Sequence, residues 1–238
     1  MRISCYCCTY NRPPRYQKLL DEAVESFLRQ DYPDKELVIL NDCPGQELIC
    51  DAPGVTVINL PRRFGSTGEK FNAAIGLTVG EVLVPWDDDD ICLPWRLSLS
   101  LERMDGADYY NPRRYWLLNS RGLQSDHQMS LGWGTSMFTR LAFDLVGGFP
   151  HRSGDADQVL HQRLTEHPGV RVAEVPTLSL DEWYYVYRWG ASPAHISSRR
   201  PYDEWYKEIG KKPVEPGKYV VRPEWKVDYV AAVRGCLS

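Results

Sequence analysis

Val82-Leu83-Val84-Pro85-Trp86 runs directly into Asp87-Asp88-Asp89-Asp90. The apolar run has the length of a buried strand, and the acids sit where that strand leaves its sheet. Adjacent carboxylates repel one another unless something positive or well hydrated separates them. A divalent cation is the simplest such partner. Hard cations take oxygen ligands, and magnesium binds one or two carboxylates and completes its shell with water and substrate phosphates. Side chains alternate along an extended chain, so the Asp-x-Asp spacing turns Asp87 and Asp89 toward one point. The competing reading is a solvated acidic turn that caps the helix starting near Pro94.

Upstream, the same plan repeats. Residues 2 to 8 read as a buried first strand, broken by the turn chemistry of Thr9-Tyr10-Asn11-Arg12-Pro13-Pro14. Tyr16, Leu19, Leu20, Ala23, Val24, Phe27 and Leu28 recur at helical spacing, and that helix must stop before Pro33. Glu36 to Leu40 is a second strand with Asp42 just beyond it, and Val55 to Leu60 is a third. A glycine-bearing loop from Pro61 to Gly68 leads into a helix through Phe71, Ala74, Ile75 and Leu77, closed by Gly80. Strand and helix alternate through residue 90, which predicts an α/β fold with a mostly parallel sheet and helices on both faces. Ligands bind at the carboxyl ends of such strands. Thr9, Asp42 and Asp87 all fall there.

After residue 100 the pattern changes to a smaller, mixed region. Short strands are expected at 107–110, 115–118, 135–139, 170–175 and 183–188, and helices at 140–146 and 155–167. From Pro201 onward Pro, Lys and aromatic residues alternate without a clear period, as in a tail packing on the domain or on a partner. One domain over 1–200 is expected, divided into halves at 1–92 and 93–200, with 201–238 as the tail.

Composition bounds the function. The chain has 238 residues, with 43% hydrophobic and 25% charged, an ordinary globular balance. A net charge of -4 argues against a general attraction to nucleic acid or anionic membrane. The basic residues Arg199, Arg200, Lys207, Lys211 and Lys212 are therefore read as solvated surface. No apolar run reaches the length of a membrane span and no signal peptide is visible, so a cytoplasmic protein is expected. The seven cysteines form no regular framework, which disfavours both disulfides and a zinc site.

Taken in order, these motifs resemble family 2 glycosyltransferases, enzymes of the GT-A fold. The likeness runs from Ile3 to His195. Cys8-Thr9-Tyr10-Asn11-Arg12 is similar to the family's opening strand and nucleotide loop. Ser26 to Pro33, then Glu36 to Asp42, resembles its first helix and second strand. Gly68-Glu69-Lys70-Phe71-Asn72-Ala73-Ala74 stands where its Asn-containing helix starts, although an Arg is common where Lys70-Phe71 stands here. Asp87 to Ile91 matches its metal-binding Asp-x-Asp, and Val146-Gly147-Gly148-Phe149 its Gly-Gly-Phe turn. The usual Glu-Asp pair is here Gly154-Asp155-Ala156-Asp157.

The resemblance implies transfer of a sugar, with inversion, from a nucleotide-diphosphate donor, most naturally a UDP-sugar, to a hydroxyl. Thr9, Asn11, Arg12, Asp42, Lys70, Asn72, Asp87 and Asp88 would bind the nucleotide, with Asp42 reading the base. A carboxylate suits a uracil because the imide N–H donates and the acid accepts. Mn2+ or Mg2+ would sit on Asp89, Asp87 and His195. Asp157 would be the general base, with Asp155 as its competitor. Helix-dipole stabilisation and an i,i+4 pair with His161 are the structural alternative for Asp157. Trp133 and Arg188 would meet the acceptor or the diphosphate, or else serve as core and as an ion-pair partner. His127, His151 and His167 carry no functional reading. The acceptor stays open among saccharide, lipid-linked glycan, protein and modified nucleic-acid base. An inactive nucleotide-sugar-binding relative and a metal-dependent nucleotidyltransferase are the alternatives.

Overall fold

The computed structural model describes residues 1–12, 14–126, 132–188 and 213–237. Four strands alternate with helices to build one side of the central sheet. These are β1 (Ile3–Thr9), β2 (Lys35–Asn41), β4 (Val55–Asn59) and β5 (Val82–Pro85), with α1 (Pro14–Leu28) and α2 (Thr67–Gly76) between them. A further strand, β3 (Gln46–Ile49), lies between β2 and β4 in the chain. β1 pairs in parallel with both β2 and β5, and β2 pairs in parallel with β4.

The alternation of side chains decides which face each residue serves. Ile3, Cys5 and Cys7 of β1, with Val82 and Val84 of β5, pack against Leu20, Ala23, Val24 and Phe27 of α1. Tyr6, Leu83 and Leu40 point the other way, toward Ala74 and Ile75 of α2. The sheet is therefore buried on both faces, and all its acids are pushed to the strand ends.

The second half does not form a separate sheet throughout. After β6 (Ile91–Cys92) and α3 (Arg96–Met104), β7 (Tyr109–Tyr110) turns back to the central sheet. So does β10 (Met137–Thr139), which follows the 3-10 turn Trp133–Thr135. The six strands lie in the order β4-β2-β1-β5-β10-β7, with β10 antiparallel to its neighbours. β8 (Tyr115–Asn119), β9 (Gly122–Asp126) and β11 (Tyr185–Tyr187) join β6 in a smaller sheet, ordered β6-β11-β8-β9. The helices α4 (Arg140–Leu145) and α5 (Ala156–Glu166) cover the α2 face. The strand expected over 170–175 reduces to one bridge, Val172 to Tyr109. Both half-exposed valines there, Val172 and Val175, lack the burial that a sheet strand requires.

Residues 213–237 lie on this body. β12 (Gly217–Val220) pairs in parallel with β3, and α6 (Tyr229–Gly235) packs through Tyr229 and Val233 into the α1 side of the core. The basic residues at 199–212 lie outside the described residues. All seven cysteines are free. No helix among the described residues is long and apolar enough to cross a membrane.

Candidate active site

The four acids after β5 do not continue an extended strand. Residues 88 and 89 lie in a turn, so the alternation that would have paired Asp87 with Asp89 fails. The pairing is instead Asp88 with Asp89 and Asp87 with Asp90. Arg12, buried, donates Nε to Asp88 Oδ2 at 2.8 Å and Nη2 to Asp88 Oδ1 at 2.5 Å, and reaches Asp89 Oδ2 at 3.1 Å. Tyr185 Oη lies 2.5 Å from Asp87 Oδ2 and 2.7 Å from Asp90 Oδ2. The positive group expected between the carboxylates is, on one pair, a guanidinium from the β1 loop.

Burial alone would raise the Asp88 carboxyl, but the charge and hydrogen bonds of Arg12 outweigh it and hold Asp88 below the ordinary aspartate value. The same two acids keep the Arg12 guanidinium firmly charged despite its burial. Asp87 has no such partner at hand. Burial first, then the charge of Asp90, pushes it up to about 7, against the hydrogen bond from Tyr185.

Asp42 follows β2 and is buried beside α2. Lys70 Nζ donates to Asp42 Oδ1 at 2.5 Å and to Thr9 O at 2.6 Å, and Phe64 N donates to Asp42 Oδ2 at 3.0 Å. One lysine thereby ties the ends of β1 and β2 together. Thr9 Oγ1 is buried beside them, within reach of the Asp88 carboxylate, whose charged form it favours. Asn11 holds a left-handed φ of 48°, which asparagine tolerates better than most residues. Its amide donates to Pro213 O at 3.3 Å. Asn72 has a different task. It donates to Phe149 O and accepts from Phe149 N, each at 2.9 Å, clasping α2 to the Gly147-Gly148-Phe149 turn.

Asp155 and Asp157 separate clearly. Asp155 is paired with Arg152 at 2.7 Å on the surface. Asp157 stands in the first turn of α5, where Oδ1 accepts from Gln158 N at 2.9 Å. No cation lies within ion-pair distance of it among the described residues, and burial raises its carboxyl above the ordinary value. His161 turns away from Asp157 and meets Tyr109 Oη through Nδ1 at 2.7 Å. Asn111 and Thr135 extend that network: Asn111 Nδ2 donates to Tyr109 Oη at 3.2 Å, and Thr135 Oγ1 to Asn111 Oδ1 at 2.6 Å. Burial, then the charge of Arg113, holds the His161 imidazole below its usual value.

The Trp133–Thr135 turn stands between the two groups of acids. Trp133 packs its ring against Phe138 and Phe149, each 5.6 Å away between centroids, and shares their cluster with Ala156 and Leu160 of α5. Gly134 faces the other way. A Cβ on it would overlap Tyr185 Oη and lie 2.8 Å from Asp87 Oδ2. Arg96, which the sequence did not single out, anchors this turn by donating to Pro85 O at 2.8 Å and Gly134 O at 2.5 Å. Arg188 is buried rather than open to a ligand. Its Nη1 lies 2.5 Å from Glu22 Oε2, its Nε donates to Asp89 O, and its backbone N donates to Asp90 Oδ1 at 2.7 Å. His195 lies outside the described residues.

No cluster of three or more His, Cys, Asp or Glu that would hold a metal occurs among the described residues. Asp87 and Asp89 carry the carboxylate oxygens that Mg2+ or Mn2+ take, with water and phosphate in the remaining positions, but the turn divides them, Asp87 to Tyr185 and Asp89 to Arg12.

An α/β sheet whose polar residues gather at the carboxyl edge of its parallel strands places its ligand site at that edge. The sequence model of Glycosyl transferase family 2 matches residues 4–156, and the chain belongs to that family. It is 37% identical over 106 residues to the putative colanic acid biosynthesis glycosyl transferase WcaA of Escherichia coli, covering 42% of this chain and 36% of WcaA. It is 36% identical over 90 residues to the succinoglycan biosynthesis protein ExoO of Rhizobium meliloti, covering 36% of this chain and 26% of ExoO. The matches thus span about a third of the curated relatives' length.

Among solved structures, S. aureus TarS 1-349 in complex with UDP-GlcNAc aligns with a TM-score of 0.61 at 20% identity, covering 88% of this chain and 64% of that one. The mannosyltransferase PcManGT of Pyrobaculum calidifontis, in complex with GDP-Man and Mn2+, aligns with a TM-score of 0.55 at 17% identity, covering 90% and 66%. The fold is GT-A.

Proposed function

We propose that the chain transfers a sugar, with inversion, from a UDP-sugar to a hydroxyl acceptor. The observation that carries this reading is the gathering of Asp42, Asp88 and Asp89 on buried Lys70 and Arg12. They meet at the carboxyl ends of β1, β2 and β5, the edge where ligands of such sheets bind. Family membership supports the reaction class. The fold relatives solved with UDP-GlcNAc, and with GDP-Man and Mn2+, support a nucleotide-sugar donor.

In this reading Asp42, fixed by Lys70 and the Phe64 amide, presents a carboxylate edge to the base, while Thr9 and Asn11 line the nucleoside. Arg12 and Asp88 shape the pocket toward the ribose and phosphates. Asp87 and Asp89 would hold Mn2+ or Mg2+, which supplies positive charge against the diphosphate. Asp157 takes the proton from the acceptor hydroxyl as its oxygen bonds to the anomeric carbon, and the diphosphate leaves with the electron pair of the broken bond. A half-buried carboxylate with no cation beside it among the described residues suits that task, because its raised pKa makes it a better base. Asp155, held by Arg152, does not suit it.

The test is incubation with a panel of nucleotide sugars and Mn2+, following free nucleoside diphosphate. Release of UDP, slow without acceptor and faster with one, is the expected result. Release of pyrophosphate would mean a nucleotidyltransferase. Binding without turnover under every acceptor class would mean an inactive binding protein.

A further inference from the structure

Behind the acidic turn lies a second buried charge cluster that the transfer reaction does not use. Its centre is Glu22 on α1. Arg188 Nη1 lies 2.5 Å from Glu22 Oε2. Tyr229 Oη of α6 donates to Glu22 Oε1 at 2.9 Å, and Lys226 N reaches the same oxygen at 3.2 Å. Trp225 reinforces the attachment without touching the carboxylate. Its Nε1 donates to Glu22 O at 3.2 Å and Ser26 Oγ at 3.0 Å, and the Arg29 guanidinium lies 4.4 Å over its ring. A continuous line of polar contacts runs from α6 through Glu22 and Arg188 to the acidic turn.

Where Arg188 makes its contacts decides what the cluster does. Its guanidinium bonds the Asp89 carbonyl, and its backbone N–H bonds Asp90. Its guanidinium holds the turn through the Asp89 carbonyl and leaves the Asp89 carboxylate to Arg12. A buried guanidinium stripped of its counter-charge is costly and is drawn to the next carboxylate within reach. For Arg188 the acids of the turn are close at hand, since its own backbone N–H already bonds Asp90 Oδ1. Glu22 removes that pull, and the C-terminal segment holds Glu22 in place.

We propose that Glu22 is a positioning residue of the donor site. Secured by Tyr229 and Lys226, it keeps Arg188 on the backbone of the acidic turn and off the carboxylates that face the donor's diphosphate. The C-terminal segment thereby becomes part of the donor-binding machinery. This inference rests on the donor-site reading above.

The experiment is calorimetric titration of UDP into the full chain at saturating Mn2+, beside urea unfolding of each variant. Glu22→Gln keeps the shape and removes the charge, and is expected to weaken UDP binding by about 10- to 100-fold, as removal of an outer-shell partner does at metal sites. Glu22→Asp should recover part of that loss. Tyr229→Phe, which leaves the ion pair intact, should act in the same direction and less. Trp225→Phe should lower the unfolding midpoint and leave UDP affinity unchanged. Unaltered affinity in both Glu22→Gln and Tyr229→Phe, with wild type binding normally, overturns the inference alone. So does a loss in Trp225→Phe equal to that in Glu22→Gln. A wild-type chain that binds no nucleoside diphosphate overturns the donor-site reading, and this inference with it.

Discussion

Asp88 is a buried carboxylate and Asp157 a half-buried one, and the protein treats them in opposite ways. Asp88 lies against Arg12, which overrides burial and holds it in its charged form. Asp157 receives backbone N–H groups and, among the described residues, no cation within ion-pair distance, and burial prevails. The cation, not the depth, decides the outcome. An acid fixed as an anion orders its surroundings, whereas an acid whose charge is costly accepts a proton readily. On the proposed reading this divides labour between donor binding and proton transfer, as paired carboxyls with separated pKa values do elsewhere.

The hardest test of that contrast is Asp157→Asn. It keeps the shape and removes the proton acceptor. Transfer should fall by about 10²- to 10⁴-fold, while UDP affinity holds. The wild-type rate should also show an acidic limb, falling as pH drops through a value above the ordinary aspartate range, and the variant should lack it. Transfer at the wild-type rate would remove Asp157 as the base.

On the other side, Arg12→Met leaves Asp88 and Asp89 buried without their shared cation. Breaking a buried ion pair by removing one partner costs about 3–5 kcal/mol. Urea unfolding at neutral pH should show a loss of that order, and lowering the pH should recover part of it as Asp88 protonates. A stability unchanged at pH 7 would mean that another group neutralises these acids.

Such pairings were only partly legible in the chain. Periodicity located β1, β2, β4, β5 and the helices between them, because each buries a regular apolar pattern. The acids at the strand tips were legible for the same reason, as abrupt ends to apolar runs. What joins them was not. Arg12 and Asp88 are 76 positions apart, Arg188 and Glu22 166, and no local pattern records a partner at that distance. β3 hid behind the turn residues Asp42 to Gly45, and β12 is too short and too exposed to show alternation. Alternation places Asp87 and Asp89 on one side only while the chain stays extended, and it turns at Asp88. Asn72 was recognisable by position alone, which left nothing to reveal its hold on Phe149.

Asn72 sharpens the contrast from outside the ion pairs. Asn72→Ala removes both bonds to the backbone of Phe149 and strands a donor and an acceptor there, at a cost of about 1–3 kcal/mol. If the clasp on Phe149 is its whole task, thermal stability falls and UDP affinity does not. A weakened affinity at intact stability would return Asn72 to the nucleotide.

The smallest expected effect tests the contrast by its sign. A carboxyl whose pKa is raised on folding binds its proton more tightly in the native state than in the unfolded chain. Its contribution to stability is therefore full below the unfolded value, about 3.9, and is lost as pH rises through the folded one. The backbone N–H groups in the first turn of α5 pull the other way by favouring the anion, but at Asp157 burial outweighs them. Above that range the ionised Asp157 costs stability that Asn does not. Asp157→Asn should therefore unfold at slightly higher urea than wild type at pH 7, and the difference should vanish or reverse near pH 4. Asp88, lowered by Arg12, carries the opposite sign: its contribution is present above the unfolded value and lost as pH falls through the folded one. A variant at Asp157 that is less stable than wild type at pH 7 by the same margin as at pH 4 would mean that its carboxylate is as comfortable as that of Asp88, and the division between the two acids would fail.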